Sequence, residues 1–216
     1  MNWSMLLLKL GGGMVVSVEI FVLTLLFSLP LGLLVAFGRM SKNIILRNVI
    51  KLYISIMRGT PLMLQLMVVF FGPYYIFGVN LTNEYRFVAV IIGFSLNYAA
   101  YFAEIYRGGI ESMPVGQYEA AKLLGYSKIQ TFFKIILPQV IKRILPAVTN
   151  EVITLVKDTS LAYVISVSEM FKEAKAIASA QASVVPYIAA GLFYYIFNFV
   201  VAHTMERIEN KLNYYR

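Results

Sequence analysis

The side chains able to do chemistry are few. Among 216 residues there is no cysteine and a single histidine, His203. That excludes thiol catalysis, cysteine-ligated zinc and disulfide-stapled folds, and it leaves an intramembrane hydrolase without its base or metal pair. What remains is a thin set of polar residues inside long apolar runs. Glu151, within Thr149-Asn150-Glu151, is expected near the middle of its run. A carboxylate there either receives the ammonium group of a passing ligand or pairs with Lys157 or a neighbouring helix. Gln65, Thr60 and Asn97 offer uncharged hydrogen-bonding groups that serve a ligand or tie helices together. Glu19, nearer the outer end of the first run, is reached by water or pairs across to another helix, the structural reading being favoured. In Gly59-Thr60-Pro61, Thr suits a helix cap, Pro the first helical position and Gly a break before it. The tripeptide is therefore expected to start either a half-helix whose N-terminus favours an anion or a simple helix anchored at the surface by Arg58.

Those residues need elements that cross a membrane. Hydrophobic residues make up 59% of the chain and charged ones 14%, against roughly half and one quarter in soluble domains, which excludes an ordinary soluble enzyme. A bilayer core about 30 Å thick is crossed by about 20 apolar helical residues. Five transmembrane spans are expected, over 14–38, 55–78, 86–104, 139–157 and 184–205, the fourth weakened by Lys142, Arg143 and Glu151. The first run is too long for a cleavable signal peptide and lacks a small-residue cleavage pattern. Of 19 basic residues, 14 fall between spans one and two or between three and four, counting Arg58, Lys142 and Arg143 at the adjoining span ends, or in the tail with Arg207, Lys211 and Arg216; Lys9, Arg86, Lys157, Lys172 and Lys175 are left for the other side. Lys and Arg accumulate on the cytoplasmic side, so the N-terminus is expected outside and the C-terminus in the cytoplasm. The net charge of +8 is thus a topology signal and not a nucleic-acid footprint. The chain reads as one all-α integral membrane domain, with a helical hairpin over its outer mouth in 160–180.

The longest cytoplasmic connection, 105–138, is patterned as two short helices. Gly125 stops the first, which begins near Pro114, and Ser127 caps the second. Ile129, Phe132, Phe133 and Ile136 share a face at helical spacing while Lys128 and Lys134 lie off it, so the second helix is expected to be amphipathic and to lie along the membrane. Ala120 and Ala121 are small enough for a partner's backbone to approach closely. Glu119 adds a negative charge beside them.

Glu119-Ala120-Ala121, then Gly125, Ile135 and Leu137-Pro138 resemble, at every defining position and spacing, the EAA loop of the membrane subunits of ATP-binding-cassette (ABC) importers. Arg58-Gly59-Thr60-Pro61 with Gln65, Tyr106-Arg107-Gly108-Gly109-Ile110, and Lys157-Asp158-Thr159-Ser160-Leu161 resemble the permeases of the polar amino acid uptake branch. The resemblance covers nearly the whole chain and implies the five-helix type I importer permease fold. It implies that the first loop helix couples to a cytoplasmic ABC ATPase subunit, with Glu119, Ala120, Ala121, Gly125, Leu137 and Pro138 as the coupling positions. It also implies a second permease copy or homologue, an extracytoplasmic substrate-binding protein, and a place in a bacterial cell membrane. The cargo would be a polar amino acid, and a cationic one suits Glu151. The chain contains no Gly-x-x-x-x-Gly-Lys-Ser/Thr pattern, so ATP and magnesium are expected on the partner ATPase and no cofactor on this chain. A secondary amino acid transporter or channel subunit is the alternative. It would need coupling-ion carboxylates or a filter, and usually more spans or an internal repeat.

Overall fold

The computed structural model describes residues 3–212; Arg216, counted above with the basic tail, lies outside them. Among the described residues the chain is helical and has no strand. Helix α1 (Trp3–Arg39) begins well before the expected span and continues through Pro30. Thr24, Ser28, Gly32 and Ala36 recur at every fourth position and are all buried. This stripe packs on a later helix, α4 below: a Cβ at Gly32 would lie 2.9 Å from the Cβ of Phe102. Small residues let membrane helices approach this closely.

The expected second span is two helices. Helix α2 (Ile44–Gly59) and helix α3 (Leu62–Phe77) meet at a bend of 111°, so the expected second span is interrupted between Gly59 and Leu62. Asn43 caps α2 by accepting from the Ile45 and Leu46 N–H groups at 2.9 and 3.3 Å. Ile50, Tyr53, Ile54 and Met57 then pack against Val35 and Ala36 of α1 and against Ala100 and Ala103. These positions share one helical face.

Helix α4 (Asn83–Glu111) runs past the expected end at 104. Arg107 pairs with Glu104 at 2.6 Å and with Glu111, and charges three and four residues apart support a helix instead of ending it. The loop helix α5 (Val115–Leu123) comes next, then α6 (Lys128–Thr131), a π-helical turn over Phe132–Ile136, and α7 (Leu137–Asp158).

The last three form one unbroken helix, which corrects the expected separate amphipathic one. Pro138 cannot donate to the ladder and its ring crowds the carbonyl four residues back. A wider turn relieves this: the Leu137 N–H reaches the Phe132 carbonyl five residues back, and the Gln139 side chain donates to the Ile135 carbonyl at 2.7 Å. The wider turn also shifts the helical phase. Ile136 is buried, whereas Ile129 and Phe133, expected on its face, are 72% and 61% exposed.

A 3-10 helix over Thr159–Ile165 continues from α7. Its Ala162 and Ile165 lie in the main core with Phe70 and Phe94. These residues, expected outside the bundle, are inside it. Helix α8 (Met170–Gln181) lies against the first turns of α1, and α9 (Val185–Leu212) closes the chain. Helices α1, α4 and α9 are long and apolar enough to cross a membrane, as is the bent pair α2–α3 taken together. Helix α7 has the length, 22 residues, but is the more polar one that its Lys142, Arg143 and Glu151 lead one to expect.

Candidate translocation face and coupling loop

The break between α2 and α3 gathers three of the expected polar residues. In a continuous helix the Met57 carbonyl would accept from residue 61, but Pro61 has no N–H. Gln65 Nε2 and Asn97 Nδ2 each donate to that carbonyl at 3.0 Å. Asn97 also donates to Gln65 Oε1 at 2.9 Å, and Gln65 donates to the Thr60 hydroxyl at 2.8 Å. Thr60 does not cap α3. It ends α2, with its N–H and its hydroxyl both directed to the Ile56 carbonyl, and the N-cap position of α3 is Pro61, with no side-chain cap.

A second polar group lies on α4 and α7. The Tyr98 hydroxyl donates to Asp158 Oδ2 at 2.7 Å, and Tyr98 is 2% exposed. The Arg58 guanidinium sits 5.2 Å from the centre of the Tyr101 ring, a cation–π contact, and its charge also acts on Glu151. Glu151 is half-buried and, among the described residues, has no ion pair within 4.0 Å. Neither the expected pairing with Lys157 nor one with another helix forms.

Two residues before Glu151, the Thr149 hydroxyl bonds Glu209, which is beyond the expected last span. Asp158, bonded to Tyr98, lies beside the middle of α4 (Asn83–Glu111). Asp158, Tyr98 and Tyr101 join the candidate site through these contacts and were not singled out as site residues in the sequence. Asp158 was visible as the acid seven positions after Glu151, on the same helical face.

The loop 105–138 is built as its glycine requires. Gly125 adopts φ +80°, a left-handed conformation that glycine adopts without strain. Its N–H bonds the Lys122 carbonyl, and that of Tyr126 bonds Ala121. Ser127 then forms a reciprocal capping box with Gln130. Glu119 and Ala120 are exposed, and Leu123 and Leu124 are 90% and 75% exposed. Ala121, expected beside Ala120 on the approach surface, is turned inward and buried. Leu137 is half-buried and Pro138 exposed at the root of α7.

At the start of α8, Glu169 was not singled out in the sequence and is fully buried. It caps α8, accepting from the Phe171 and Lys172 N–H groups at 2.7 Å each, and from the Tyr194 hydroxyl at 3.0 Å. Burial raises its carboxyl to about 7, against the lowering effect of those donors. Glu19, expected nearer the outer end of the first run, is intermediate in exposure.

Membrane helices gathered around a polar face, with an exposed elbowed helix at one end, define the transmembrane permease of type I ABC importers. Residues 28–214 match the family described as binding-protein-dependent transport system inner membrane component, and the chain belongs to that family. It is 39% identical to the L-cystine transport system permease protein TcyB of Bacillus subtilis, over 95% of this chain and 87% of that one. It is 36% identical to a putative glutamine transport system permease protein, GlnP, of Rickettsia bellii, over 93% and 91%. A crystal structure of an amino acid ABC transporter with histidines matches with a TM-score of 0.85 and 30% identity, over 94% of both chains. The chain is a multi-pass membrane protein and the permease of an amino acid ABC importer. Its relatives are transport subunits and not enzymes.

Proposed function

We propose that the chain forms half of a path that imports polar, cationic amino acids across a bacterial cell membrane, with its N-terminus outside and its C-terminus in the cytoplasm. The observation that carries the substrate class is the pair of acids on α7. Glu151 and Asp158 stand two turns apart on one face, about 10 Å along the helix axis. Two anions in succession suit a substrate with two cationic groups, its α-ammonium and its side chain. Arg58, beside Tyr101, is the counter-charge for the α-carboxylate. Gln65, Thr60 and Asn97 form the polar wall next to it and hold the break that brings Arg58 to the path.

A second copy or a homologue supplies the other half of the path. Two cytoplasmic ABC ATPase subunits receive α5, whose exposed Glu119, Ala120, Leu123 and Leu124 suit a helix-in-groove contact. ATP and magnesium stay on those subunits, and none is held by this chain. ATP favours the closed ATPase pair and so shifts the permease between inward-facing and outward-facing states. An extracytoplasmic binding protein delivers the amino acid at the outer end, near α8.

The test is reconstitution of the chain with its ATPase and binding-protein partners in liposomes. Substrate-stimulated ATP hydrolysis is expected, and Gly125→Pro should abolish it: proline cannot adopt φ +80° and removes the N–H that bonds Lys122. Hydrolysis indifferent to substrate or to Gly125→Pro overturns the coupling role. Uptake without ATP that tracks an ion gradient would instead establish a secondary transporter.

A further inference from the structure

The root of α7 carries a charged cleft separate from the acidic face. It opens between the end of α4 and the π-helical turn, with a volume of 580 Å³. Lys134, Lys142 and Arg143 line it together with the apolar Met113, Ile135 and Pro138, and among the described residues no acidic side chain does. Arg143 is held across the cleft by donation from Nη1 to the Ser112 carbonyl at 3.1 Å. Met113 is buried beneath it. Just beyond the cleft, Phe133 and Ile141 are 61% and 41% exposed.

Three cations around a partly apolar concavity do not fit an amino acid, which would need an anion for its ammonium group. They fit a phosphate. Arg offers a planar fork to two oxygens and Lys a mobile point charge to a third. The apolar lining suits the glycerol and first methylenes attached to a phosphodiester, and basic pockets between membrane helices recognise anionic headgroups in this way. The expected spans end at 104 and resume at 139, so the cleft adjoins the level where lipid headgroups would lie.

We infer that this cleft binds the phosphate of an anionic phospholipid headgroup. A soluble phosphate would meet the same cations, and the experiment separates the two sources. The purified full-length chain in detergent is titrated with phosphatidylglycerol, with phosphatidylcholine and with inorganic phosphate, and bound species are read by native mass spectrometry. Phosphatidylglycerol is expected to bind about tenfold or more tightly than phosphatidylcholine. That preference should vanish in K134Q/K142Q/R143Q and persist in the charge-retaining K134R/K142R/R143K.

Where the triple glutamine variant does not fold, Lys134→Gln and Arg143→Gln singly are each expected to weaken binding about threefold. Inorganic phosphate that binds through the same cations, with no preference between the two lipids, overturns the lipid assignment and leaves a site for a soluble anion. A phosphatidylglycerol preference unchanged in the glutamine variants overturns the site.

Discussion

Asn97 on α4 and Gln65 on α3 bond to each other at 2.9 Å and share one acceptor, the Met57 carbonyl of α2. That carbonyl is free for them because Pro61 cannot use it. Three helices are therefore fastened at the point where the chain turns by 111°, and the fastening also sets where Arg58 emerges.

Asn97→Ala removes one of the two donors to Met57 and the partner of the Gln65 carbonyl oxygen. Leaving buried polar groups unsatisfied costs about 1–3 kcal/mol each. A lowered melting temperature of the purified permease in detergent is the expected result. An unchanged one would mean that the contact contributes nothing to stability.

Glu151→Gln removes a charge while keeping size and hydrogen-bonding capacity. If its carboxylate meets a cationic side chain, arginine uptake should fall about 10–100-fold, the range for a charge-assisted bond, with glutamine uptake far less affected. Asp158→Asn keeps an acceptor for the Tyr98 hydroxyl and, if the Asp158 carboxylate meets the α-ammonium that both amino acids carry, should weaken uptake of both. Parallel transport assays with the two amino acids check both variants, and uptake of both at the parental rate by Glu151→Gln removes that residue from the site.

Gly13 faces the start of α8 so closely that a Cβ there would lie 2.7 Å from the Met170 Cα and 2.8 Å from its nitrogen. Backbone cannot step aside as a side chain can. Gly13→Ala is expected to destabilise the α1–α8 contact by about 1–3 kcal/mol, the usual penalty of overpacking. Faster amide exchange over 170–181 is the signature, with the coupling loop unaffected.

Glu169 makes the same α1–α8 contact sensitive to pH. Its carboxyl is raised to about 7 in the folded chain, by burial first, with the Glu173 charge adding to it. The folded state therefore holds the proton more tightly than the unfolded one. Stability is full below the ordinary carboxylate range, falls as pH rises toward 7, and is flat above. The whole change is about 3 kcal/mol at most. Melting temperatures at about pH 5 should exceed those at about pH 8, and Glu169→Gln should flatten the difference; an equal slope in the variant would place the titration elsewhere.

The parts legible in the sequence are those set by local chemistry. Gly125 and Ser127 each act within a few residues, and both behave as their types dictate. Elements that depend on distant partners are harder to read. Helix α2 is hidden inside a basic connection, although Asn43 and the spacing of Ile50, Tyr53, Ile54 and Met57 carry its signal. Thr60 has the side chain of a cap for α3, but Gln65 and Ile56 engage it from both sides. Pro138 has the look of a stop, yet a helix can pass a proline by widening one turn. The placement of Asp158 is not legible at all, because it depends on Tyr98, sixty positions earlier.

From Lys128 to Asp158 the helix is continuous through its π turn and about 45 Å long. One end adjoins the glycine elbow and the other carries both acids. One helix, with Pro146 inside it, thus joins the elbow, where the proposed ATPase contact falls, to the two acids. Its winding changes at Phe132–Ile136, where the π turn lets the helix run on past Pro138.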